Sequence, residues 1–222
     1  MTHLPGGVGL SELRVYDWPA PDGVCGGSPH MHLVCSEAYV VVEGSGSVQT
    51  LTWSGYAETP LEPGAVVSFS PGTIHRLVNG DGRLRIVVVM QNSGLPEAGD
   101  AVFTFPPHVL ASGELYGRAA AGGDEEAVLR RRDLALAGFF ALRDDPSGLA
   151  AFHEAAGRIV SGKLDEFEKR WSAGARAMAE ATGEQLAALR RGELSHLREA
   201  AVGGTVPHDR LGMCGHLRAH QS

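Results

Sequence analysis

Short apolar runs separated by turn residues fill the chain from about residue 24 to residue 92. The clearest runs, rich in β-branched side chains, are 38–42, 65–69 and 84–90. Glycine, proline, asparagine and aspartate stand between such runs, as at 44–46 and 79–82, where they favour tight turns. Many short strands at this spacing are typical of a β-sandwich or β-barrel, so we predict a barrel here.

The pattern changes to that of helices in the second half of the chain. Asp124 precedes two glutamates and is a predicted helix N-cap. From Phe152 to Leu189, apolar side chains recur at steps of three or four residues, the period of an amphipathic helix. We expect this long apolar stripe to be a packing surface that either covers the barrel or forms a dimer interface.

These patterns divide the chain into four parts. We predict a β-barrel domain at residues 1–110, a linker at 111–125, a helical extension at 126–202 and a polar tail at 203–222. Because the tail is polar and contains glycine and histidine, we expect it to be loosely ordered. The predicted fold class is therefore mainly β with an α-helical extension.

Charge and composition exclude several classes of partner. The formal net charge is −7, whereas nucleic acids and anionic membranes are bound by clustered Lys and Arg. The one basic run, 130–132, lies within the helical pattern, where we expect a solvated face. No stretch of about 18 apolar residues occurs, and the first residues lack the features of a secretory signal. We therefore expect a cytoplasmic protein with no nucleic-acid or membrane partner and with reduced thiols at Cys25, Cys35 and Cys214.

Two histidines and a glutamate lie close together in the strand-like half. His30 and His32 are separated by one residue, so on a strand both imidazoles point to the same face. Glu37 begins the next apolar run after a short gap, and Tyr39 lies on the same face of that strand. Both imidazoles can therefore reach one metal ion from one side of a sheet, with a carboxylate nearby.

A third histidine follows a turn far along the chain. The residues Pro71 to Thr73 form a predicted turn that leads into a strand, and His75 lies at the start of that strand. Arg76 comes next and is expected to face the opposite way, toward an interface or a surface salt bridge. Asn79 is expected to order the following hairpin turn. A third imidazole on a distant strand is what a metal site inside a barrel requires.

The order and spacing of these residues resemble the two sequence motifs of the cupin superfamily. The first motif is matched by His30-x-His32-x4-Glu37-x6-Gly44. The second motif is matched by Gly64-x7-Gly72-x2-His75-x3-Asn79. About 30 residues separate the two, which is the usual length of the inter-motif region, and the resemblance covers roughly residues 20–95.

The resemblance implies a double-stranded β-helix, the cupin jelly-roll barrel, followed here by the helical extension. It also implies that His30, His32, Glu37 and His75 bind one divalent transition metal inside the barrel. Iron, manganese, zinc, nickel and cobalt all occur in such proteins, and imidazole and carboxylate ligands suit these metals better than calcium or magnesium. Such a site leaves coordination positions open for water, substrate or dioxygen. The alternatives are a purely structural metal or none.

Further candidate residues follow from the predicted barrel. Tyr39 and Glu37 are the candidate acid/base residues, because a bound cation would lower the pKa of the nearby phenol. The resemblance extends here to the dimethylsulfoniopropionate lyase cupins, in which an equivalent tyrosine acts as the base. Tyr39 can equally be a packing residue. The predicted substrate-lining residues are Gln49, Trp53, Tyr56 and Gln91.

Three functions fit these observations. The first is a metal-dependent isomerase, epimerase or lyase that acts on a small polar molecule through Lewis-acid and acid/base chemistry. The second is an Fe(II)-dependent dioxygenase, and the third is a non-catalytic metal- or ligand-binding protein. We rank them in that order, and we expect a homodimer because the apolar stripe exceeds what one small barrel can cover.

Overall fold

Two antiparallel β-sheets form the body of the molecule, and helices pack against them. A computed structural model describes residues 4–220. The strands are β1 Gly9–Val15, β2 His30–His32, β3 Glu37–Glu43, β4 Gly46–Thr52, β5 Gly55–Leu61, β6 Val66–Phe69, β7 Ile74–Asn79, β8 Arg85–Met90, β9 Ala101–Phe103, β10 Pro207–Leu211 and β11 Gly215–His220. One sheet has the order β10-β11-β1-β8-β3-β6 and the other has the order β5-β4-β7-β2-β9.

The alternation of apolar residues places one face of each strand in a common core. In β3 the side chains of Glu37, Tyr39 and Val41 are buried, whereas those between them are more exposed. Core residues of both sheets, such as Ile86 and Leu77, belong to one hydrophobic cluster. This period of two is the signature of strands with one buried face. The predicted β-barrel with a following helical region is confirmed.

Within residues 4–220, seven α-helices follow or interrupt the strands. They are α1 Leu95–Ala98, α2 Pro107–Leu110, α3 Gly113–Ala120, α4 Glu125–Asp144, α5 Leu149–Val160, α6 Leu164–Trp171 and α7 Ala177–Arg190. As predicted, Asp124 caps α4, since its side chain accepts a hydrogen bond from the backbone N–H of Ala127 at 2.9 Å. Among residues 4–220, no helix combines the length and the apolar character needed to cross a membrane.

The apolar stripe is buried only in its first part. Phe152, Val160 and Phe167 belong to the core, so α5 and α6 pack against the rest of the molecule. Beyond Phe167, the side chains of Trp171 and Leu189 are 41% and 47% exposed, and α7 has no buried residue. A π-helical turn at 172–176 joins α6 to α7. The stripe therefore covers the body of the molecule as far as α6, and the predicted dimer interface stays a prediction.

The expectation of a loosely ordered tail was wrong. Strands β10 and β11 form a hairpin, and β11 pairs with β1 from Leu10↔His220 to Val15↔Gly215. This pairing satisfies the backbone groups along one edge of β1, which would otherwise be exposed. The predicted linker also contains α3, whose N-cap Ser112 accepts hydrogen bonds from two backbone N–H groups. Because both segments are rich in polar side chains, the pattern of apolar residues did not predict these elements.

Candidate metal centre

Three strands bring the predicted ligands together. His30 and His32 lie on β2, Glu37 begins β3, and His75 lies on β7. In the register of the second sheet, His30 stands directly opposite His75. All four side chains are buried, and each offers one ligand atom within 4.8 Å of the others. The structure thus assembles the four residues that the sequence pattern singled out, and the cluster can hold one metal ion.

The spacing of the ligand atoms suits a first-row transition metal. His75 Nε2 lies 3.1 Å from His30 Nε2 and 3.2 Å from Glu37 Oε2. His32 Nε2 lies 3.5 Å from the same Glu37 oxygen. Atoms that each bind a metal at about 2.0–2.2 Å lie roughly 3.0–3.5 Å from their neighbours in the coordination sphere. The cluster is therefore the right size for a single ion.

Backbone carbonyls set the protonation of two of the rings. His30 Nδ1 donates to the carbonyl of Ser28 at 2.9 Å, and His75 Nδ1 donates to the carbonyl of Thr73 at 3.1 Å. A carbonyl oxygen only accepts, so each Nδ1 carries the hydrogen and each neutral ring presents a lone pair at Nε2. The Nε2 atoms of His30 and His75, which carry these lone pairs, lie 3.1 Å apart. They repel one another unless a cation or a proton lies between them.

Asp100 orients the third imidazole. Its Oδ2 accepts a hydrogen bond from His32 Nδ1 at 3.0 Å, which turns His32 Nε2 toward Glu37. Its Oδ1 accepts from the backbone N–H groups of Leu33 and Val34 at 3.0 and 2.8 Å. Asp100 is fully buried. A carboxylate behind a metal-binding histidine fixes the tautomer and raises the basicity of the ring.

Asp100 was not among the site residues predicted from the sequence. The residue immediately precedes β9, which pairs with β2 and places Ala101 opposite His32. Nothing in the sequence shows that these two short strands are neighbours. The only local signal is a single acidic residue before an apolar run, which is common at strand ends.

Charges within the cluster shift the pKa of its members. Burial lowers the pKa of His30 well below the usual range, because a positive charge on this ring would be unsolvated and would lie beside the rings of His75 and His32. Burial also tends to lower the pKa of His32, but the hydrogen bond to Asp100 and the charge of Glu37 outweigh it and raise that pKa. For Glu37, burial tends to raise the pKa, yet the neighbouring imidazoles of His75 and His32 outweigh burial and lower it. Glu37 is thus an anion among imidazoles.

Tyr39 lies beside the cluster on the same face of β3 as Glu37. Its ring centroid is 6.3 Å from that of His75, and the residue is 1% exposed. Burial raises its pKa well above the usual range, and the charge of Glu37 raises it further. A bound cation was expected to lower this pKa, but the protein groups act in the opposite direction. The phenol is therefore a hydrogen-bond donor in this setting.

A cavity of about 460 Å³ opens onto the cluster. His30, His32, Glu37 and Tyr39 lie in its wall, whereas His75 is fully buried behind them. Apolar residues from β1, β8 and the C-terminal hairpin form much of the remaining wall, and they are Leu10, Leu13, Val88, Met90, Leu211, Met213 and Leu217. A small molecule in this cavity would meet the metal ligands directly.

None of the four predicted substrate-lining residues borders this cavity. Gln49 pairs across the strands with Arg76, on the face opposite to His75. Trp53 is 69% exposed in the turn between β4 and β5, and Tyr56 beyond it is also exposed. Gln91 is exposed, and its side chain accepts a hydrogen bond from a backbone N–H. These four residues lie outside the cavity because it opens toward β1 and β8 and not toward the β4–β5 hairpin.

The basic run on α4 was also misjudged. Arg130 is exposed, but Arg131 and Arg132 are 7% and 2% exposed. They follow Val128 by three and four residues and so lie on the buried face of the helix. Arg131 lines the cavity. Its spacing of three residues from the apolar Val128 was the sequence signal that Arg131 lies on the buried face of the helix.

Arg76 faces away from the cluster, as predicted, but it is not at the surface. The side chain is fully buried, and Asp22 accepts hydrogen bonds from both of its terminal nitrogens, at 2.6 and 3.2 Å. Asn79 orders the hairpin turn, as predicted, because its side-chain oxygen accepts from the backbone N–H of Leu84. Its amide nitrogen also donates to the carbonyl of Val15.

Comparison with known proteins supports the resemblance seen in the sequence. The family model described as "Cupin domain" matches residues 20–90. No curated protein matches the chain. Among solved structures, the capsular polysaccharide assembling protein CapF from Staphylococcus aureus is 21% identical over 45% of this chain and 27% of its own, with a TM-score of 0.35.

Two further solved structures are similar over part of their length. The cysteine peptidase Peruvianin-I from Thevetia peruviana latex is 16% identical over 39% of this chain and 51% of its own, with a TM-score of 0.33. A structure of the DMSP lyases RdDddP and RnDddQII is 21% identical over 40% of this chain and 38% of its own, with a TM-score of 0.29. This chain thus spans about half or less of each of these proteins.

Proposed function

We propose that the cupin domain, which this chain carries at residues 20–90, binds one divalent first-row transition metal and catalyses a reaction of a small polar molecule. The proposed ligands are His30, His32, Glu37 and His75. One observation carries the proposal: three imidazole lone pairs and one carboxylate oxygen converge in a buried cluster. Glu37 Oε2 is buried and has no hydrogen-bond partner among the described residues. Coordination to an ion would satisfy this oxygen.

The proposed reaction is an isomerisation, epimerisation or elimination without net redox change. When bound, the ion would supply Lewis-acid polarisation of a substrate carbonyl or hydroxyl group. Tyr39 borders the cavity on the same face of β3 as Glu37, so its phenol is placed to donate a proton to a substrate oxygen. Glu37 lies two residues from Tyr39 on the same face of β3, and its negative charge favours the protonated phenol.

An Fe(II)-dependent dioxygenase is the second candidate function. The observation in its favour is the apolar wall of the cavity, formed by residues such as Leu13, Val88 and Met90. The predicted polar lining would have favoured a hydroxylated substrate, but those residues lie elsewhere. Turnover under strict anaerobiosis would exclude the dioxygenase. The non-catalytic alternative predicts ligand binding without turnover. It would be favoured if no member of a broad substrate set were turned over with any first-row metal.

Replacement of Tyr39 by Phe tests the acid/base role. We expect kcat to fall about 100-fold or more while the metal content stays unchanged, because only the transferable proton is lost. Tyr56→Phe is the matched control, since this exposed phenol lies outside the cavity and its loss should leave kcat unchanged. Equal kcat for Tyr39→Phe and the parent protein would show that Tyr39 is a packing residue.

We further propose a cytoplasmic homodimer with a small-molecule substrate and no nucleic-acid or membrane partner. The three free cysteines support a reducing compartment. Leu186 and Leu189 of α7 are about half exposed, which supports burial against a second copy. A monomeric mass in light scattering at micromolar concentration would exclude the dimer.

A further inference from the structure

Arg131 is a buried cation in the wall of the cavity that holds the proposed metal ligands. The residue projects from α4, outside the stretch that matches the cupin family, and is 7% exposed. The carbonyls of Gly212 and Ala120 accept hydrogen bonds from its terminal nitrogens, at 2.9 and 3.5 Å. A guanidinium group has five N–H donors, so some donors of Arg131 remain without an acceptor after these two hydrogen bonds. Its buried Nε has no acceptor among the described residues.

Arg131 also differs from the other arginines of the cavity wall. Arg170 pairs with Glu166 at 2.7 Å, and Arg210 pairs with Glu97 at 3.0 Å. Within residues 4–220, no carboxylate forms an ion pair with Arg131. A buried charge without a counterion is costly, and the cost is relieved when an anion with hydrogen-bond acceptors reaches it. Among the arginines of this cavity wall within residues 4–220, Arg131 is therefore the one without a carboxylate partner.

The unpaired guanidinium lies close to the metal cluster. Its central carbon is 5.0 Å above the ring of Phe103. The Phe103 ring centroid is in turn 6.3 Å from that of His30, and these two residues are partners across β2 and β9. One small molecule can therefore contact both Arg131 and the ligand cluster.

We propose that Arg131 binds the carboxylate group of a small ligand whose other polar end lies at the metal cluster. This rests on the proposed function for the metal end of the ligand. A guanidinium fork matches the two oxygens of a carboxylate. A single unpaired cation suits a singly charged group, and Glu97 and Glu37 in the same wall disfavour a doubly charged phosphate. The substrate class is then a small carboxylic acid with a hydroxyl or carbonyl group.

A structural role for Arg131 makes a different prediction. If the guanidinium only stabilises the C-terminal hairpin through its hydrogen bond to Gly212, its loss would lower the free energy of unfolding. The preference for a carboxylate over its amide would then be unchanged. Binding and stability must therefore be measured on the same samples.

The test is calorimetric titration of Zn²⁺-reconstituted full-length protein with a panel of hydroxy- and oxocarboxylates of three to six carbons and with the corresponding amides. We expect at least one carboxylate to bind about tenfold or more tightly than its amide. Arg131→Gln should weaken that carboxylate about 10- to 100-fold and leave the amide unchanged, because a charged hydrogen-bonding group is lost. Arg130→Gln, the same change one residue earlier on the exposed face, should keep the full preference.

The outcomes separate the two proposals. If the parent protein binds every carboxylate no better than its amide, the Arg131 proposal is overturned whether or not the variants fold. The same holds if Arg131→Gln retains the preference and loses only stability. If metal analysis finds no bound ion but the carboxylate preference exists and depends on Arg131, the anion site stands and the metal-dependent function fails.

Discussion

At the scale of single residues, the site depends on which nitrogen of each imidazole carries the hydrogen. The Ser28 and Thr73 carbonyls and the Asp100 carboxylate each accept a hydrogen bond from an Nδ1 atom. Three Nε2 lone pairs are therefore directed into one small volume with Glu37. The cluster is an acceptor-only arrangement, which is why a cation suits it and why ordinary hydrogen bonding does not explain it.

Asp100→Asn should weaken metal binding about 10- to 100-fold. The carboxylate accepts bonds from His32 on one oxygen and from two backbone N–H groups on the other. An amide can serve only one of these sides, and its NH₂ group facing His32 would select the wrong tautomer. The measurement is competition with a chelator. Asp81→Asn, in an exposed turn, is the control, and equal affinities for both variants would contradict the role of Asp100.

The ligands and Asp100 were not equally predictable from sequence. The four ligands follow a spacing along the chain that is recognisable without any knowledge of three-dimensional contacts. Asp100 and Arg131 act through pairings between β2 and β9 and between α4 and the cavity, which join distant parts of the chain. No local pattern encodes such contacts, so they were missed or misassigned.

At the scale of elements, the docking of α4 fixes the position of Arg131. Thr104, directly after β9, donates its hydroxyl hydrogen to the carbonyl of Ala135 at 2.8 Å. Gly138 lies one turn further on, and a methyl group there would clash with the backbone of Thr104 and Phe105. The helix approaches the strand this closely because position 138 has no side chain.

Gly138→Ala should therefore lower the free energy of unfolding by about 2 kcal/mol or more, despite the better helix propensity of alanine. Gly157→Ala on α5 is the matched control, because a methyl group there meets nothing within 4 Å. That change should be neutral or should stabilise the protein by up to about 1 kcal/mol. Urea unfolding of both variants is the measurement. Equal effects of the two changes would show that α4 does not dock as described.

The ion pair between the buried Arg76 and the partly exposed Asp22 gives a pH-dependent prediction. Burial tends to raise the pKa of Asp22, but the hydrogen bond and charge of Arg76 outweigh it and lower that pKa. A carboxylate with a lowered folded-state pKa contributes stability above its unfolded pKa of 3.8, and this stability is lost as the pH falls through the folded pKa.

Asp22→Asn should thus cost about 1–2 kcal/mol at pH 7, because Arg76 is buried and loses its charged partner, while solvent partly screens the partly exposed Asp22. The difference from the parent protein should shrink below about pH 4, where the parent carboxylate also becomes neutral. Urea unfolding between pH 7 and pH 3 tests this. A difference that stays constant over this range would argue against the pair as the source of the stability.

At the scale of the whole molecule, the barrel supplies the metal ligands and the later segments complete the cavity. The C-terminal hairpin extends the first sheet and contributes Met213 and Cys214 to the cavity wall, while α4 contributes Arg131. The strands and helices were predictable from the spacing of apolar residues. That spacing is about two residues in the first half of the chain and three to four residues in the second half. The pairing of the tail with β1 was not predictable, because it joins distant parts of the chain and no local pattern encodes it.

Metal analysis is the most direct test of the central claim that four buried side chains bind one ion. Protein purified without chelator should contain close to one first-row metal ion per chain by mass spectrometry. His75→Ala should reduce this to about a tenth or less, whereas the exposed His108→Ala should retain it. Absence of metal from the parent protein after reconstitution, or full metal content in His75→Ala, would contradict the claim.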